Sequence, residues 1–172
     1  VIPTRQTVPA MAGARPGSYR LHRGRVNRVE GGEMIDVHET LSVSQQRQVA
    51  ALFVQRVLGF SNDVRIKAAL DMAMRADISD AELAVVSQAA NTARVESYAQ
   101  CGRDSDWNTQ AGLFVAKAAV SCVRPDVEGQ NLAWDAAMQV RVARTCEAAS
   151  GDVTDHKEAE AQYAILDDFL SK

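Results

Sequence analysis

From Ser42 to the C-terminus one signal recurs: apolar residues lie three and four positions apart, with alanine on many facing positions, until a cap or a breaker interrupts them. A strand alternates with period two, so a segment patterned this way gathers its apolar side chains on one face only as a helix. Six stretches fit. The first covers about residues 44–58, with Val49, Leu52, Phe53 and Val57 in one stripe and Gly59 behind them. The second covers 63–75, with Asn62 placed to cap it and Ile66, Leu70 and Ala73 on one face. The third opens on Ser79-Asp80-Ala81-Glu82, a capping box, and runs to about Gln100 with Gly102 as terminator. Leu83, Val86, Ala90 and Ala93 lie along one side of it.

The fourth stretch runs from Ser105 or Asp106 to Val123, where Arg124-Pro125 ends it. Leu113, Phe114, Ala116, Val120 and Val123 leave it little polar surface, which predicts a central position. The fifth covers 131–149, with Gly151 as a stop. The sixth runs from Thr154 or Asp155 to Leu170, with Ala161, Ile165, Leu166, Phe169 and Leu170 as its apolar side. Connections of about two to eight residues suit antiparallel neighbours. The 28 alanines and the low aromatic content of 5% favour closely approaching helices over a β-sandwich. The expected fold is all-α: a compact bundle or array of about six antiparallel helices over 42–172. No run approaches the ~18 apolar residues of a membrane span.

Residues 1–41 read differently, as an irregular, basic N-terminal arm. Pro and Gly punctuate it, and only Met34–His38 alternates as a short extended piece. Residues 1–33 hold six arginines against Glu30 and Glu33, a net charge of +4, whereas the remainder carries −7. Such an arm contacts nucleic acid or another acidic surface, or folds back onto its own acidic body. Arg15, Tyr19, Arg20, Arg23, Arg25 and Arg28 are its candidate contact residues, because arginines with an aromatic grip phosphate and stack a base. The first 29 residues lack any acid, as transit peptides do, but their prolines and glycines spoil a targeting helix. The chain opens with Val1, and Met34 is an alternative start.

Catalytic and metal signatures are absent from the pattern. Cys101, Cys122 and Cys146 are odd in number and far apart, which suits buried thiols in a reducing cytoplasm better than a disulfide framework or a zinc site. Asp36-Val37-His38-Glu39 lacks the second histidine of HExxH, since Ser42 stands four beyond His38. Gly31-Gly32 lacks the Lys-Ser/Thr of a phosphate loop. His156-Lys157-Glu158 reads as an exposed first turn, and Asp71, Asp77, Asp80 and Glu82 as a solvated acidic edge. Arg141 and Arg144 share a face; Arg94 has Glu96 nearby and Asp135 stands six before Arg141, and such arginines pair with these acids or clasp an acidic partner. Trp107 and Trp134 open the fourth and fifth helices; each is a core plug or a binding anchor, and an antiparallel, offset pair would let them face one another.

Asp63-Val64-Arg65-Ile66-Lys67-Ala68-Ala69-Leu70, then Asp77-Ile78-Ser79 and an alanine-rich helix, resembles the all-helical immunity proteins of bacterial polymorphic toxin systems. The closing Glu160–Leu170 stretch is similar to their last helix. The resemblance covers about residues 47–170 and leaves the arm unmatched. It implies a non-enzymatic protein that binds and blocks a toxin, and it carries over no site residue. The expectation is therefore a protein-interaction module of inhibitor or scaffold type, without catalytic residues, metal or cofactor, whose partner is another chain or a second copy. The alternative is an accessory subunit of a nucleic-acid complex acting through residues 15–28.

Overall fold

A computed structural model describes residues 20–22, 25–27, 41–125, 130–151 and 155–172. Its helices are α1 (Val43–Gln55), α2 (Val64–Ala73), α3 (Asp80–Asp104), α4 (Trp107–Val123), α5 (Leu132–Ser150) and α6 (Glu158–Leu170). Residues 41–172 contain no strand among those described. In the arm, where the sequence predicts irregular chain, β1 (Arg20–His22) and β2 (Arg25–Asn27) pair antiparallel with Leu21 opposite Val26, and β2 lies beside α6. Arg15, Tyr19, Arg23, Arg28 and the Met34–His38 piece lie outside the described residues.

Side-chain caps start five of the six helices. Ser42 and Gln45 form a capping box on α1, and Ser79 and Glu82 form the one predicted on α3. Asp63, not Asn62, caps α2, because its carboxylate takes both the Arg65 amide and the Arg65 guanidinium. Asp106 and Asn131 cap α4 and α5. Two ends differ from expectation. Gly102 is carried through as helix, and α3 stops instead at Ser105, in the left-handed region at φ 51°. Helix α6 starts three or four residues late, after left-handed Lys157 at φ 46°.

Helix α4 packs against α1, α2, α3 and α5, the central place its apolar sequence predicts. Arg124, at its C-terminal end, pairs with Asp135 in the first turn of α5, so the two helices run antiparallel. Gln46 ties the starts of α1 and α5 together: its amide donates to the Leu41 carbonyl and accepts from the Leu132 amide. The core includes Val49, Phe53 and Val54 of α1, Ile66 and Leu70 of α2, Val115 and Val123 of α4, and buried alanines from each of α1 to α5. Alanine at a crossing shortens the axis separation, which is how few aromatics fill this interior. A Cβ on Gly112 would meet the Phe60 carbonyl oxygen at 3.0 Å; glycine there lets the 3-10 turn Leu58–Phe60 sit directly on α4.

Candidate interaction surface

Helix α3 is the longest element, at 25 residues, and it lies at the edge of the bundle, packed against α2 and α4. Its inner seam is Leu83, Val86, Ala90 and Ala93, all buried as predicted. A second seam, which the sequence reading overlooked, runs along the outside. Ala81, Val85, Gln88, Thr92, Val95 and Ala99 follow one another at spacings of four, three, four, three and four, and all six are exposed. That is the heptad spacing that keeps a stripe on one side of a helix. Val85 is 70% exposed and Val95 51%, with Tyr98 on the flank at 66%. The Thr92 hydroxyl donates to the Gln88 carbonyl within the helix, so it makes no demand on a partner.

Between Leu83 and Gly102, Glu96 is the single charged residue at an exposed position. Arg65 binds it, and the same guanidinium binds Asp63. Both carboxyls are held below their usual range by Arg65, chiefly through its hydrogen bonds. Arg94, expected to pair with Glu96, instead donates to Asn91. Depletion of charge around scattered aliphatic and aromatic side chains is the compositional mark of an interface core.

Beside the C-terminal half of α3 lies a polar cleft of about 630 Å³, bounded by Ser61, Asp63, Glu96, Gln100, Arg103 and Thr109 among others. Its two carboxylates are ionised and engaged by Arg65, so neither is poised to donate a proton near neutral pH. At the other end of α3, Glu82 is also spent. It accepts from the Ser79 amide and hydroxyl and from Arg75, and these bonds, the Ser79 amide first, hold its pKa down to about 2. The acidic edge is thus partly an arginine clasp, since Arg75 also holds Asp77. Among the described residues no group of three His, Cys, Asp or Glu side chains is arranged to hold a metal ion. None of the helices described is long and apolar enough to cross a membrane.

The two tryptophans part company. Trp107 opens α4 and is 48% exposed, adjacent in sequence to cleft residue Asn108. Trp134 is half-buried against the core, with the Arg141 guanidinium 5.7 Å from its ring centre. They mark opposite ends of an antiparallel pair about 25 Å long, so they do not face one another. Arg20 and Arg25 fall in β1 and β2.

The far side of the molecule corrects another expectation. Glu158 is not an exposed first-turn residue; it is fully buried, as is Gln162. Arg56, which caps the C-terminus of α1, donates to Glu158 through Nε at 2.9 Å, and Arg144 of α5 through Nε at 3.2 Å. Arg141 donates to the Gln162 carbonyl oxygen at 2.8 Å, and the Gln162 amide donates to the Ala137 carbonyl. Arg144 also reaches the Arg56 carbonyl oxygen and lies over the Phe60 ring. The arginines Arg141 and Arg144 therefore serve α6, while Asp135 is taken by Arg124. Cys122 and Cys146 are buried, and burial pushes both thiols up, away from reactivity.

Comparison with known protein families, with curated proteins and with solved structures returns no match to this chain.

Proposed function

We propose that this chain is a non-enzymatic helical interaction module that acts by presenting the outward face of α3 to a protein, as an immunity- or inhibitor-type protein or as a scaffold subunit. One observation carries the reading: an edge helix of 25 residues exposes a continuous uncharged seam containing Val85 and Val95, with Tyr98 beside it. An exposed heptad stripe at a bundle edge has the spacing that a facing helix needs. The carboxylates nearest to it are engaged by arginines, which favours a binding role over proton transfer. A cytoplasmic setting suits the free cysteines.

The test is size-exclusion chromatography with light scattering, of the chain alone and mixed with purified toxin domains from polymorphic systems. Co-elution that is lost on Val95→Lys supports the module. A strictly monomeric chain that co-elutes with none of them contradicts it.

The charge split favours one second reading, an arm that grips nucleic acid. Its affinity for a random duplex would fall steeply with salt and vanish on deletion of residues 1–33. Unchanged binding after that deletion removes it.

A further inference from the structure

The outer seam of α3 reads the same in both directions. From N- to C-terminus it is Ala81, Val85, Gln88, Thr92, Val95, Ala99: small, branched, polar, polar, branched, small. Its spacing of four, three, four, three, four is also palindromic. A second copy laid antiparallel on the outer face, with a two-fold axis midway between the levels of Gln88 and Thr92, would set Ala81 opposite Ala99, Val85 opposite Val95 and Gln88 opposite Thr92, each twice. Antiparallel coiled coils stack their seam residues in this way, one seam position facing the other in every layer. The same axis places Tyr98 against Ala84 on one flank, a large side chain over a small one, and Asn91 against itself. On the other flank Glu82 nears Glu96 of the second copy, but Arg75 and Arg65 already neutralise these two acids within each chain.

From these matches we infer that the chain forms an isologous dimer through antiparallel packing of α3 on α3. The inference rests on reading this face as an interface, and it commits the face to a second copy of the chain. Two features favour a copy over an unrelated helix. A two-fold interface must be self-complementary, and beyond the spacing, which any six-member heptad stripe shares, this one repeats its residue character in reverse, alanine for alanine and valine for valine. The face is also close to electrically neutral, so no charge separates two identical chains. The seam is about 27 Å long and about 10 Å wide, a smaller footprint than a standard specific interface covers, as in transient contacts. The association is therefore weak and concentration-dependent.

Sedimentation of the full chain across a wide concentration range tests this, with circular dichroism confirming that each variant is folded. The wild-type chain shifts from monomer to dimer as concentration rises. Val85→Glu alone and Val95→Lys alone each weaken the dimer by at least about tenfold, because each sets a charge against a valine in two layers. The double variant Val85→Glu with Val95→Lys restores most of the affinity, since antiparallel pairing puts the opposite charges across from each other. A chain that stays monomeric at every concentration overturns the inference and leaves the α3 face to a different partner. A dimer indifferent to both single substitutions overturns it as well, by placing the contact elsewhere. Single variants that weaken the dimer without rescue by the double keep α3 as the interface and overturn its antiparallel pairing.

Discussion

Helices α3 and α6 both lie at the margin of the bundle, and they are inverted versions of each other. Helix α6 turns Glu158, Gln162 and Leu166 inward, one stripe at four-residue spacing whose first two members are polar. Helix α3 turns leucine, valine and alanine inward and leaves two more valines and a tyrosine in solvent. The lesson concerns what decides inside from outside. For α6 it is the supply of partners: Arg56, Arg141 and Arg144 come from the two helices it rests on, and they make a buried carboxylate and amide tolerable. Such contacts fix register more than they add stability. For α3 it is geometry: a helix at an edge has two faces and only one neighbouring surface to cover.

The largest effect that would sharpen this contrast is at Glu158. Its replacement by alanine strands two guanidinium groups and should cost about 3 kcal/mol in urea unfolding, whereas the isosteric Glu158→Gln should cost less. A loss under about 1 kcal/mol would mean that α6 is not held by this clamp. On the inner seam of α3, Ala90→Leu should cost about 1–3 kcal/mol, because fully buried Ala90 leaves no room for three more carbons. A neutral result there would show that α3 can move off its neighbours.

The α3 start gives a smaller effect with a defined pH course. Ser79→Ala removes the capping box and should cost about 1 kcal/mol. The Glu82 carboxyl has an ordinary value of 4.5 and sits at about 2 when folded, so its contribution is present above pH 4.5 and is lost as the pH falls toward 2. Glu82→Gln should flatten that part of the acid-unfolding profile; an unchanged profile would contradict the clasp. Smallest of all, Val85→Lys should leave stability within about 0.5 kcal/mol, since the side chain is 70% exposed in the monomer.

Much of this fold was readable from sequence. The periodicity marks all six helices, and Ser79-Asp80-Ala81-Glu82 marks one start to the residue, because caps are local chemistry. The central place of α4 follows from its scarcity of polar side chains. What escaped were features set by tertiary contacts. Nothing near Glu158 announces its burial, because its partners Arg56 and Arg144 come from other helices. Trp107 and Trp134 look alike in sequence and differ only in what lies beside them. The candidate site was half legible: the outer seam of α3 is spelled out in spacing, yet the inner seam has the same rhythm. Only the packing on α2 and α4 shows which one remains uncovered.

The central claim is that the outward face of α3 is the working surface, and hydroxyl-radical footprinting at Tyr98 addresses it most directly. Going from dilute to concentrated chain, Tyr98 oxidation should fall as its flank of α3 is covered, while Trp107, beyond the seam, stays reactive. Tyr98 oxidation that is unchanged under conditions where the chain is associated would contradict the account.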